Sequence, residues 1–263
     1  MSRKLILLSS FLALFVIAGM TMSCGGSSNS GATQPCTGGP FNVVGDWQGT
    51  FTGGGTTTDA IGAIDSAGLA VFFDALGDTA VLPAITGTCS FSGNLSIYQA
   101  PDLGSALISG TAQGNVTSAT AISGTQSNST FTGNFSLTSY VPLTGSVVAL
   151  SGSRTAPVEG EAVILQLTFS PSGPNSSMSF TGTDGFNCTV SGTFTEQQTS
   201  NVFDVSMTDS GTGCPGSGTM TGIGFESDTD YFTFNGGAAG IYLYADLLAT
   251  NGPFAIEIFQ QVP

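Results

Sequence analysis

The stretch that decides the fold is residues 89–96, which read Cys-Ser-Phe-Ser-Gly-Asn-Leu-Ser. Apolar residues or glycine occupy every second position, and serine or asparagine stands between them. Because successive side chains of a strand point to opposite faces of a sheet, this alternation predicts a half-buried β-strand. The same period of two returns at residues 131–137, 165–169 and 203–208, with hydroxyl side chains prominent on the polar face.

Turn-forming residues separate these alternating segments along the chain. Glycine, proline, asparagine and serine cluster at residues 53–55, 171–173, 235–237 and 251–253, where they favour tight turns. No segment after residue 24 has the spacing of an amphipathic helix. The pattern predicts an all-β protein of about fifteen or sixteen short strands joined as an antiparallel meander.

A second copy of the opening stretch stands at residues 188–195, Cys-Thr-Val-Ser-Gly-Thr-Phe-Thr. Both copies place a cysteine, an apolar residue, a glycine and a large apolar residue on one face. The match predicts two tandem antiparallel β-meander units, each a barrel or a sandwich, with one large continuous β-sheet or barrel as the alternative. We expect the following segments: a signal peptide over 1–23, a lipid-anchored Gly/Ser tether over 24–40, and β units over 41–143 and 144–263.

The N-terminus indicates export. Arg3 and Lys4 precede an apolar run over residues 5–20, which is the arrangement of a secretory signal peptide. Ser23 and Cys24 follow, and then a flexible Gly/Ser-rich tether. This arrangement resembles a bacterial lipoprotein signal, in which the cysteine after a small residue becomes the lipidated N-terminus. The resemblance implies lipidation of Cys24; cleavage of an ordinary secreted protein nearby is the alternative.

Five cysteines fit an exported protein with one lipidated residue. If Cys24 carries lipid, Cys36, Cys89, Cys188 and Cys214 can form two disulfides in an oxidising compartment. Three connectivities are open. We favour Cys188–Cys214 and Cys36–Cys89, because each pair then lies within one half of the chain.

The composition excludes several classes of function. The chain of 263 residues has no histidine, and its three basic residues are Arg3, Lys4 and Arg154. Serine–histidine, cysteine–histidine and lysine Schiff-base catalysis therefore lack their residues in the mature chain. With 17 acidic residues and no basic patch, the chain is also not expected to bind nucleic acid.

A group of uncharacterised bacterial lipoproteins resembles this chain over most of residues 43–261. The matching motifs are a GxWxG strand at residues 45–49, a C-T-x-x-G strand at 188–192, an N-V-[FY] strand at 201–203, and Cys214 followed by G-x-x-T-G at 218–222. The resemblance implies export and fold, and carries no activity with it. The Gly-x-Trp start of the first strand also resembles lipocalin-like and avidin-like barrels, which would imply binding of a small ligand.

The acidic residues suggest two kinds of site. Glu226, Asp228 and Asp230 stand at alternate positions, where three carboxylates could gather around Ca²⁺; a solvated hairpin turn is the alternative. A pair of carboxylates could also hydrolyse a glycan. The remaining candidates for such a pair are scattered, and we expect them at the surface: Asp46, Asp59, Asp65, Asp74, Asp78, Glu159 and Glu161.

Three other side chains have more than one interpretation. Trp47 is expected to be a buried structural residue. Arg154 could stack on it, form a salt bridge with a nearby acid, or lie alone at the surface. Tyr242 and Tyr244 alternate with apolar residues and could present a glycan- or protein-binding face, with cross-strand packing as the alternative.

The sequence thus predicts a monomeric cell-envelope lipoprotein, anchored through its lipid to the bacterial outer membrane, that binds a protein or glycan partner or has a structural role. It is expected not to be an enzyme and to need no cofactor unless Ca²⁺ binds at the acidic segment. A secreted form, a lipocalin- or avidin-like carrier and a two-carboxylate glycan hydrolase are the alternatives.

Overall fold

Strands joined by turns and irregular segments make up the described part of the computed structural model, which covers 39–74, 78–98, 107–141, 152–157, 164–171, 177–197, 201–214, 218–228, 241–249 and 252–260. The first eight strands are β1 (Gly45–Gly53), β2 (Thr56–Ile64), β3 (Ala70–Asp74), β4 (Thr79–Leu82), β5 (Ser90–Tyr98), β6 (Leu107–Ser118), β7 (Ala121–Asn128) and β8 (Thr132–Tyr140). The next eight are β9 (Gly152–Pro157), β10 (Ile164–Pro171), β11 (Ser177–Thr183), β12 (Thr189–Glu196), β13 (Val202–Ser210), β14 (Gly218–Ser227), β15 (Ile241–Ala249) and β16 (Gly252–Gln260).

The first eight strands form a closed barrel. Each strand pairs with the next along the chain, and β1 also pairs with β8. Aromatic and aliphatic side chains fill the interior: the ring centroid of Phe51 lies 5.6 Å from that of Phe135 and 5.8 Å from that of Phe72. The interior is therefore a packed core.

The last eight strands form a second antiparallel sheet, again in chain order from β9 to β16. The sheet curls until β16 approaches β9. Its concave face is lined by buried apolar side chains, including Phe169, Phe180 and Phe194, whose ring centroids lie 5.5–6.2 Å apart. Two tandem β-meander units, as the sequence predicts, are confirmed, and one continuous sheet is not formed.

Glycine in mid-strand makes room for a phenyl ring on the neighbouring strand. Gly124 stands opposite Phe135, and Gly192 stands opposite Phe180. A β-carbon at either glycine would overlap the facing ring and a backbone carbonyl of the strand on the glycine's other side, that of Gln113 or Ser206. These contacts recur in both units and explain why glycine interrupts otherwise apolar faces.

An apolar contact region, here called the seam, joins the outside of the barrel to the second sheet. Its nine residues are Ile61, Ala63, Val71 and Phe73 on β2 and β3, and Val202, Ile223, Phe225, Tyr242 and Tyr244 on β13, β14 and β15. Phe73 is fully buried although it points away from the barrel interior, and its ring centroid lies 5.7 Å from that of Phe225. β2 and β3 are consequently buried on both faces.

A polar link lies beside the seam. The backbone N–H of Ser66, in the turn after β2, donates to Oε1 of Gln197 at 2.7 Å, and Nε2 of Gln197 donates to Oδ1 of Asp204. Both sheets belong to one compact unit, Cys36–Pro263. In the part of the chain that is described, no helix has the length and apolar character needed to cross a membrane.

Candidate functional site

Asp46 is the most unusual polar residue of the barrel. Its neighbour Trp47 points into the barrel core and donates from Nε1 to the carbonyl of Val43 at 2.9 Å, so Asp46 points outward. An outward aspartate is ordinarily solvated, yet Asp46 is only 3% exposed. Neither of its carboxylate oxygens has a hydrogen-bond partner. The expectation that Asp46 lies at the surface is wrong, because the second sheet covers it.

The register of the sheet places Asp46 at the edge of the seam. Its partners on the adjacent strands are Ala63 of β2 and Tyr140 of β8. Ala63 belongs to the seam and Tyr140 packs against it. Asp46 therefore lies where the barrel wall meets the second sheet.

Two further acids lie at the end of β14. Glu226 is fully buried, and its register partner Leu243 belongs to the core of the second sheet. Asp228 is held by Tyr140: the phenol donates to Oδ1 of Asp228, and the backbone N–H of Asp228 donates to the phenol oxygen at 3.3 Å. We call Asp46, Tyr140, Glu226 and Asp228 the junction cluster.

The electrostatics of the junction cluster disfavour negative charge. Burial raises the pKa of Asp46 well above its usual value, and the negative charge of Glu226 raises that pKa further. Burial and the hydrogen bond to Asp228 raise the pKa of Tyr140, so its hydroxyl stays protonated at neutral pH. Burial thus keeps water away from Asp46 and Glu226, whereas Asp228 is partly exposed.

A cavity of about 280 Å³ borders the cluster. Its lining combines the two strand ends, the turn before β7 and the residue before β13: Val43, Val44, Gly45, Asp46, Trp47, Ala119, Ser139, Tyr140, Val141 and Asn201. Most of these residues are apolar, and Asp46 is the one acid among them.

The Ca²⁺ site predicted from the sequence is only partly described. Glu226 and Asp228 lie in the junction cluster, whereas Asp230 lies outside the described residues. Glu226 is buried, so the alternative of a fully solvated hairpin turn does not apply to it. The three-residue site itself stays a prediction.

Three of the five cysteines, Cys89, Cys188 and Cys214, lie in the described residues. Cys188 and Cys214 form a disulfide, with Cα atoms 5.9 Å apart, as favoured from the sequence. Cys89 is disulfide-bonded as well. Cys36, its predicted partner, and Cys24, the predicted lipidation site, lie outside the described residues.

One group of potential metal ligands involves this disulfide. Among the described residues, the group of three such atoms within 4.8 Å of one another is Cys188, Asp209 and Cys214. Because the two sulfur atoms are bonded to each other, this group offers no thiolate to a metal.

Several of the scattered aspartates have a structural role in turns. Oδ1 of Asp65 accepts from the backbone N–H of Ala67 and Leu69 at 2.8 and 2.7 Å. Oδ1 of Asp184 accepts in the same way from Phe186 and Cys188. Side-chain bonds of this kind stabilise tight turns. Asp74 likewise accepts from the N–H of Asp78, while Glu159 and Glu161 lie outside the described residues.

The aromatic and basic candidates do not form a surface site. Tyr242 and Tyr244 are fully buried in the seam, so the binding face considered for them is wrong and their cross-strand packing is confirmed. Trp47 is enclosed in the barrel core at 1% exposure. Arg154 lies on β9 and donates to the carbonyl of Ser153 at 3.1 Å, so the proposed stacking on Trp47 is not formed.

The junction cluster was missed in the sequence because its members come from distant strands. Asp46 and Glu226 are each flanked by ordinary strand residues, and nothing local marks either one as buried. The available signal was the apolar run of β2 and β3, residues 60–64 and 70–73, which indicates burial on both faces.

Comparison with protein families, curated proteins and solved structures finds no match to this chain.

Proposed function

We propose that the protein is a lipid-anchored module of the bacterial cell envelope that acts by binding a partner or as a structural component, without catalysis. The disulfide between Cys188 and Cys214 is the structural observation that supports export most directly. Disulfides persist in oxidising compartments and are rare in the cytosol of most organisms. The positive N-terminus, the apolar run and the Ser23–Cys24 pair point to the same destination.

The packed barrel argues against the small-ligand carrier. A carrier of the lipocalin or avidin kind needs a cavity inside its barrel. Here Phe51, Phe72, Phe91, Phe135 and the other inward residues occupy that space. A ligand would have to displace the core.

Burial argues against the glycan hydrolase. The charge of Glu226 acts on Asp46, so these are the two acids that such an enzyme would have to use. A catalytic acid must, however, reach the glycosidic oxygen within hydrogen-bond distance. Asp46 is 3% exposed and Glu226 is fully buried, so a glycan at the surface does not reach either carboxyl.

Fractionation of bacteria expressing the chain tests the proposal. The wild-type protein should sediment with membranes and incorporate labelled palmitate, because a lipidated Cys24 anchors it. Cys24→Ser should move it to the soluble fraction and abolish labelling.

Ser27→Ala, in the adjoining tether, is the matched control and should behave like the wild type. If Cys24→Ser and the wild type distribute and label alike, the protein is not anchored through Cys24 and the proposal fails.

A further inference from the structure

Asp46 stands where the second sheet covers the wall of the barrel. The register of β1 places it beside Ala63 of β2, a seam residue, and beside Tyr140 of β8, which packs against the seam. Asp46 is almost entirely buried, and neither of its carboxyl oxygens has a hydrogen-bond partner. A negative charge is costly in this position, because neither water nor a donor group solvates it. The neutral acid costs much less.

The groups that face Asp46 do not stabilise a negative charge on it. On β8, the hydroxyl group of Tyr140 donates to Asp228, so its proton is already engaged by another acid. At the end of β14, Glu226 adds a negative charge that acts on Asp46. β2 contributes the apolar Ala63. Each of these elements therefore favours the protonated form of Asp46.

The chain also supplies no cation to pair with Asp46. Beyond Lys4 its one basic residue is Arg154, which lies on β9 and donates to the carbonyl of Ser153. Among the described residues that line the adjoining cavity, Asp46 is the one acid. A divalent ion there would keep one charge unbalanced, whereas a proton neutralises a single carboxylate completely.

The cavity offers water a place to enter once the carboxyl group is charged. About 280 Å³ is several times the ~30 Å³ that one water occupies in the liquid. Val141 lines the cavity and is 78% exposed, so the cavity reaches the surface. Asn201, the residue before β13, lines it as well. Water that enters the cavity therefore comes between the barrel and the second sheet.

We propose that Asp46 is a pH-sensitive switch at the junction between the barrel and the second sheet. While Asp46 keeps its proton, the neutral acid stays buried under the second sheet. When the proton leaves, the carboxylate draws water into the cavity and loosens the contact around Tyr140 and Asn201. The apolar seam continues to hold the two units together, so the change is local.

The direction of the pH effect follows from the burial of Asp46. Burial and the charge of Glu226 raise the pKa of Asp46, so the folded protein holds this proton to higher pH than the unfolded chain does. Stability is therefore lost as the pH rises from the ordinary carboxyl pKa through the raised one. The junction is tightest in acid.

Trp47 can report on this switch, because it is the one tryptophan of the chain, adjoins Asp46 and lines the same cavity. Its fluorescence is measured in the full-length protein in detergent, with excitation where tyrosine does not absorb. As the pH rises, the emission should move reversibly to longer wavelength and become easier to quench with acrylamide. The midpoint should lie well above the ordinary carboxyl pKa. Asp46→Asn should keep the emission of the acidic wild type at every pH.

Thermal unfolding over the same pH range gives a second measurement. Between the two pKa values of Asp46, each unit of rising pH should lower the Tm of the wild type by about 3–5 °C relative to that of Asp46→Asn. Asp59→Asn is the matched control, since Asp59 is an exposed aspartate on β2 of the same barrel. It should follow the wild type in both measurements.

Three results would overturn the proposal. The first is a wild-type emission that stays constant from acid to alkaline pH, a measurement that does not depend on any variant folding. The second is an Asp46→Asn protein whose emission and Tm follow those of the wild type at every pH. The third is a midpoint that CaCl₂ moves to lower pH than NaCl does at equal ionic strength, because a cation would then be displacing the proton.

Discussion

At the scale of single residues, the aspartates of this chain differ in how their charge is balanced. Asp65 and Asp184 accept backbone N–H groups in turns, which suits a carboxylate. Asp46 is buried without such donors. Asp209 shares a feature with each kind: it is partly buried, and it accepts one backbone N–H. Burial raises its pKa, the charge of Asp184 raises it further, and the N–H of Ser210 lowers it.

We predict that Asp184→Asn lowers the pKa of Asp209 towards its usual value. The substitution removes a neighbouring charge and keeps an oxygen that can accept the N–H groups of the turn. A carbon-detected NMR titration of the Asp209 carboxyl measures the change. Asp59→Asn, on the other sheet, should leave the Asp209 titration unchanged. If Asp184→Asn also leaves the pKa of Asp209 unchanged, the charge of Asp184 does not raise that pKa.

The raised pKa of Asp209 determines the direction of a pH effect on stability. Because the folded protein holds the Asp209 proton to higher pH than the unfolded chain does, this residue lowers stability as the pH rises from the ordinary carboxyl pKa through the raised one. The loss should be smaller in Asp184→Asn.

At the scale of elements, an aspartate-led turn recurs between strands of both units. In each turn the backbone N–H and carbonyl of the aspartate pair with later residues, and the residue three positions on has a positive φ: Gly68 at 86° and Asn187 at 61°. Glycine and asparagine tolerate this conformation best. The turn type thus depends on two positions, the leading aspartate and the left-handed residue.

We predict that Asp65→Ala lowers the free energy of unfolding by about 1–2 kcal/mol, because the N–H groups of Ala67 and Leu69 lose their acceptor. Asp65→Asn keeps the acceptor oxygen and should lose less. Urea unfolding of the three proteins compares them. Equal losses in the alanine and asparagine variants would show that these hydrogen bonds do not stabilise the turn.

The strands were predictable where one face meets solvent. The alternation in β5, β8 and β13 is visible in the sequence, and their apolar positions Phe91, Phe135 and Val205 are buried as expected. β2 and β3 lack this alternation because both of their faces are covered. Which elements cover the outer face is decided by tertiary packing between distant strands, and no local pattern encodes it.

At the scale of the whole molecule, the apolar side chains of the seam pack the barrel against the second sheet. Phe73 of the barrel packs against Phe225 and Tyr244 of the second sheet, with ring centroids 5.7 and 6.1 Å away. The junction cluster depends on this packing, since Tyr140 of the barrel, which pairs with Asp46, bonds Asp228 of the second unit only where the two units meet. The sequence could reveal the two units but not the site between them.

We predict that Phe73→Ala lowers the free energy of unfolding by about 3–5 kcal/mol, because it leaves a cavity in the seam. Val141→Ala is the control: Val141 is 78% exposed, and its truncation should change stability by less than about 0.5 kcal/mol. Calorimetric unfolding measures both. If Phe73→Ala lowers the free energy of unfolding no more than Val141→Ala does, the two units do not pack through Phe73.

The pairing of β1 with β8 also determines when the barrel can be completed during synthesis. Every other pairing between barrel strands joins neighbours in the chain, but this one joins residues such as Gln48 and Thr138, which are 90 positions apart. Chains emerge from the ribosome N-terminus first, and contacts between distant residues form late. Until residue 140 has emerged, β1 offers an unpaired edge of N–H and carbonyl groups, which is a template for a strand from another chain. Completion of the barrel is thus also the step that removes the β1 edge as a site of misassembly.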